Sequence, residues 1–104
     1  MSTKPKMYAS EILEKRLGPM TMARFLRSWR LCEEMSQREF AKLLKMLPAN
    51  LCDIEKGRKG VSPEKAEQIA KILGYSETVL VKLALQEQLK SAGLNYLIEV
   101  KPAG

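Results

Sequence analysis

The chain has 104 residues, enough for one domain with a small core and too few for two. Its formal charge of +6, with 18 Lys and Arg against 12 Asp and Glu, favours a phosphate-rich partner, while also suiting an acidic protein surface. The chain lacks histidine, and its two cysteines, Cys32 and Cys52, are far apart, so neither a metal centre nor a disulfide scaffold is expected.

The N-terminal stretch carries Lys4, Pro5 and Lys6 and has no apolar run behind its lysines, so it reads as a frayed start and not as a leader. Ser10 caps a short expected helix with Ile12, Leu13 and Leu17, ended by Gly18-Pro19. Thr21 caps the next, where Met22, Phe25, Leu26 and Trp29 form an apolar stripe. Arg24 and Arg27 read there as solvated charges.

Ser36-Gln37-Arg38-Glu39 has the spacing of a capping box, so a helix starts at Gln37 and turns Phe40, Ala41, Leu43 and Leu44 inward. Lys45-Met46-Leu47 reads as a turn. Pro48 fits only the first turn of a following helix, which buries Leu51 and Ile54 and stops near Gly57. Arg58-Lys59-Gly60 is a basic loop. Ser62-Pro63-Glu64 then opens a helix with Ala66, Ile69, Ala70 and Leu73 at core spacing and Gly74 as its stop.

Ser76 caps the last expected helix, in which Val79, Leu80, Val81, Leu83, Ala84, Leu85 and Leu89 spread apolar surface over more than one face. One face docks the helix, and the excess, including Val81, Leu85 and Leu89, predicts a dimer or partner contact. After Gly93 the period changes to two: Tyr96, Ile98 and Val100 alternate with Leu97, Glu99 and Lys101, predicting a short strand that joins the same contact. No stretch is apolar enough for a membrane span, and the chain reads as reduced and cytoplasmic.

Ser36, Gln37, Ala41, Leu44, Leu51, Ile54, Glu55, Gly57, Ser62 and Pro63 stand in the spacing of a helix-turn-helix. The segment from about residue 20 to 80 resembles the phage-repressor-like regulators of the Xre/Cro family. The fold implied is all-α: a five-helix lambda-repressor-like domain over 20–80, preceded by a tail and extra helix in 1–19. It is followed in 81–104 by a helix end and the C-terminal β-strand.

The resemblance implies that Gln37 bonds a DNA phosphate, with Arg38 beside it in the contact set. Arg30 and Glu55 match an ion pair that braces the first helix against the recognition helix. Lys56, Arg58 and Lys59 fall where the family's loop lies along the DNA backbone. Pro48, Ala49, Asn50 and Asp53 occupy the base-facing positions. Of these, Asn50 suits adenine, Asp53 suits cytosine N4, and Ala49 suits a thymine methyl. The family has glycine where Lys45 stands and a polar cap where Leu47 stands. Lys45 therefore either takes a left-handed backbone at some cost or changes the turn.

The function expected is a sequence-specific DNA-binding transcriptional regulator, a homodimer repressing its own operon from double-stranded DNA, with no cofactor. One alternative is a HigA-type antitoxin that also binds a ribonuclease toxin protein through its C-terminal segment. Another is an interaction module that no longer binds DNA. Enzymatic activity is not expected, because Glu33, Glu34, Glu64 and Glu67 have no motif around them.

Overall fold

The computed structural model describes residues 20–103, and the expected helix at Ser10–Leu17 lies outside them. Five helices follow in order: α1 (Met22–Cys32), α2 (Gln37–Leu43), α3 (Pro48–Glu55), α4 (Pro63–Leu73) and α5 (Glu77–Ser91). Four of the starts have side-chain caps. Thr21, Ser36, Ser62 and Ser76 accept from the backbone N–H of Arg24, Glu39, Lys65 and Val79, each worth about 1 kcal/mol. At Ser36 the box is complete: its hydroxyl accepts from Glu39 N–H at 3.0 Å and the Glu39 carboxylate accepts from Ser36 N–H at 2.9 Å.

The core joins all five helices. Met22, Phe25 and Leu26 of α1 meet Phe40 and Ala41 of α2, Leu51 and Ile54 of α3, Ala66, Ile69 and Ala70 of α4, and Leu80 and Ala84 of α5. Small residues, Ala41, Ala66, Ala70 and Ala84, let helix backbones approach, and the broadest contact is α4 against α5. Phe25, Trp29 and Tyr75 close one end as a ring cluster with centroids 4.9 to 5.9 Å apart, and tilted or edge contacts of this kind suit the ring quadrupoles.

Two expectations are corrected by the packing. Leu43 is exposed, because the last turn of α2 rotates it past the core while Leu44, the C-cap, is fully buried. Among the described residues there is no strand. No strand among the described residues lies beside 94–103 to supply ladder bonds, and the Gln86 side chain of α5 takes that place. Its carboxamide donates to Tyr96 O and accepts from Ile98 N–H, the latter at 3.2 Å. Ile98 and Val100 are half-buried, Tyr96 is exposed, and Leu97 is 95% exposed.

The apolar excess of α5 is also partly spent within the domain. Val81, expected at a partner contact, packs with Leu83 against the domain's own core, because α5 touches both α4 and α1. Leu85 and Leu89 are half-buried and Val79 is exposed. A further tie comes from Glu87, whose carboxylate accepts from Met22 N–H at 2.6 Å and so caps the first turn of α1 from across the fold.

Candidate nucleic-acid interface

The turn between α2 and α3 sets the angle of the second helix. After the C-cap Leu44, the chain enters the left-handed region at Lys45, φ 59°. Lys45 N–H donates to Lys42 O at 3.1 Å and Met46 N–H to Ala41 O at 2.9 Å, the paired bonds of a Schellman turn. The left-handed form is thus kept with a lysine where glycine would be free of strain, at a cost of about 1 kcal/mol. Lys65 of α4 offsets part of it: its ammonium donates to Leu44 O at 3.0 Å and Lys45 O at 3.4 Å. Nothing in the sequence points to Lys65, because its partners are backbone carbonyls 20 residues away.

Helix α3 starts without a side-chain cap, since Leu47 occupies the position and is 67% exposed. Pro48 stands at its first turn, where the missing N–H costs nothing. Leu51 and Ile54 point inward and are buried, which leaves Pro48 and Ala49 exposed and Asn50 and Asp53 half-buried on the remaining surface. Leu47, Pro48 and Ala49 together form a small apolar surface of the kind a thymine methyl accepts. In the sequence Leu47 signals only a poor cap, and its exposure is what adds it to this surface.

The end of α3 is fixed from below. Arg30 of α1 donates from Nε to Glu55 Oε2 at 2.8 Å and from a terminal nitrogen to Oε1 at 3.0 Å. This two-pronged bond holds planar groups at a fixed angle. The Arg30 side chain is 14% exposed and that of Glu55 3%. The hydrogen bond that Arg30 donates to Glu55, opposed by desolvation, holds the guanidinium charged above its usual range. Gln37, at the first position of α2, donates from Nε2 to Glu55 Oε1 at 3.0 Å, so the same carboxylate also orients the start of α2. A carboxamide keeps a second N–H for another acceptor.

The chain then folds back along α3. Gly57, φ 76°, follows the C-cap Lys56, and Arg58 N–H donates to Asp53 O at 2.8 Å, bringing the basic loop beside the helix. Arg58 lies 3.7 Å from the Asp53 carboxylate, and Lys59 Nζ donates to Asn50 Oδ1 at 2.9 Å. Lys56, Arg58 and Lys59 are exposed, as is Arg38 next to Gln37. The structure therefore brings Gln37 to Glu55 and the loop cations to Asn50 and Asp53. Tyr96, Ile98 and Val100 belong to the separate segment held by Gln86.

An N-terminally capped helix, a four-residue turn from Leu44 to Leu47 and a second helix whose outward side carries Asn50 and Asp53 beside loop cations define the DNA-binding helix-turn-helix class. A family model described as a helix-turn-helix domain matches residues 21–83, more than half of the chain, and the protein belongs to that family. No curated protein and no solved structure matches the chain. No helix among the described residues is long and apolar enough to cross a membrane.

Proposed function

We propose that the protein is a sequence-specific transcriptional regulator of the Xre/Cro type, a dimeric repressor that lays α3 in the major groove of its own operator. The observation that carries this reading is the joint placement of α3 and its flanking cations. The exposed face of α3 is bordered by Arg58 and Lys59, while Arg30 and Glu55 hold the helix from behind. In that pose Gln37, Arg38, Lys56, Arg58 and Lys59 touch phosphates, and Ala49, Asn50 and Asp53 face base edges. The phosphate contacts set affinity and register, and the bases set specificity. The reading places the protein in the cytoplasm and gives it no enzymatic activity and no cofactor.

The test is the salt dependence of binding to duplex DNA. Each phosphate neutralised contributes roughly 0.9 to the slope of log K against log salt. Arg58→Ala combined with Lys59→Ala is expected to weaken binding and to reduce that slope by about 2 for each protomer, or about 4 for the dimer. An unchanged slope would show that the loop does not lie on the backbone.

A second reading, an antitoxin or interaction module, draws support from residues 94–103. Leu94, Tyr96 and Leu97 are exposed, and Gln86 occupies the Tyr96 and Ile98 backbone groups on one edge, leaving Leu97 between them. A backbone edge of this sort accepts a strand from a second copy or from a toxin. Its test is which amides move when a partner is added: movement in α3 alone, with 94–103 unchanged, removes its support.

A further inference from the structure

We propose that the Asn50–Lys59 pair makes the recognition face select guanine over adenine at the base opposite Asn50, an inference that rests on α3 facing the major groove. An ammonium has three donors and no acceptor, so the Asn50 atom 2.9 Å from Lys59 Nζ is the side-chain oxygen. That oxygen gives one lone pair to a cation, and the amide nitrogen remains with two N–H groups.

Adenine recognition by asparagine needs both ends of the carboxamide: the nitrogen donates to N7 and the oxygen accepts from the N6 amino group. In this protein that oxygen already accepts from an ammonium, whose charge disfavours a second donor such as the adenine amino group. Guanine offers O6 and N7, two acceptors and no donor, on its major-groove edge. The Asn50 amide nitrogen and a second Lys59 proton match that edge as a donor-only unit, and the third Lys59 proton remains for the phosphate.

The arrangement does not depend on a chance rotamer of a long chain alone. The turn at Gly57, with the Arg58 N–H to Asp53 O bond of 2.8 Å, brings the loop back along α3 and sets Lys59 beside Asn50. The neighbouring acceptor is opposed in the same way, since Asp53 has the Arg58 guanidinium 3.7 Å away. Both polar side chains of the helix surface are therefore turned towards loop cations. The face offers protons to a base edge more readily than it receives them.

The experiment is selection of bound duplexes from a random pool by the full chain and by Lys59→Met, which keeps the stem and removes the donors. Selection is run at low salt so that the loss of one phosphate contact does not abolish binding. The full chain should prefer guanine over adenine roughly tenfold at one position of each half-site, the size of one good base contact. Lys59→Met should move that same position to adenine, and Asn50→Ala should leave it without preference. Adenine in the full chain, or guanine retained in Lys59→Met, overturns the inference while leaving the docking intact. Failure of the full chain to bind any duplex overturns the docking itself, and the inference falls with it.

Discussion

Glu55→Gln is expected to lower the stability of the domain by about 3 kcal/mol, the scale of breaking one side of a buried ion pair. The carboxylate is 3% exposed and receives three donors, two from Arg30 at 2.8 and 3.0 Å and one from Gln37 at 3.0 Å. Glutamine fills the same volume but brings an amino group against the guanidinium and removes the charge that offsets its burial. Arg30 also donates to Met35 O at 3.1 Å, so it is not free to swing into water without breaking the α1–α2 connection. For a domain of this size each kcal/mol moves the midpoint by roughly 4–8 °C, so Tm should fall by about 15 °C. A loss below about 1 kcal/mol, the level of exposed pairs, would mean that the bond does not brace α3. The bond raises the Arg30 pKa, so on that side its contribution is complete below the unfolded value and is lost only as strong alkali removes the proton.

Leu51→Ala is expected to cost a similar amount, about 3 kcal/mol within the 2–5 range of buried leucine truncations. Helix α3 is short, has no side-chain cap, and rests on two inward residues, Leu51 at 0% and Ile54 at 5% exposure. With few other anchors the site cannot collapse around the lost methyls without tilting the helix. Against a total of about 5–15 kcal/mol for a small domain, this brings the fold towards its limit. Urea denaturation reads the effect as a lower midpoint at unchanged slope. A cost under about 1 kcal/mol would show that α3 is held chiefly by its polar end and not by its apolar face.

The helices were legible because their signals are local. Thr21, Ser36, Ser62 and Ser76 each sit three residues before the N–H they accept from, and Pro48 and Pro63 mark first turns. What escaped the sequence is contact between residues far apart along it. Lys65 on the turn carbonyls and Glu87 on Met22 N–H join segments whose spacing carries no pattern. The alternation of Tyr96, Ile98 and Val100 described an extended segment's preference but not its partner, and a glutamine side chain takes that role. At the interface, residue types named Asn50 and Asp53 as readers but not their engagement. Lys59 and Arg58 approach them only because the chain reverses at Gly57.

In the proposed function one face, made by the start of α2, the surface of α3 and the loop after it, docks on duplex DNA. Amide chemical-shift mapping of the full chain, titrated with a duplex enriched from a random pool, tests it most directly. The largest shifts are expected at residues 37–38, 47–53 and 56–60, with the Arg30 side-chain signal retained because its bond to Glu55 stays closed. Shifts centred on α5 and residues 94–103, with α3 unmoved, would show that this face does not dock on DNA.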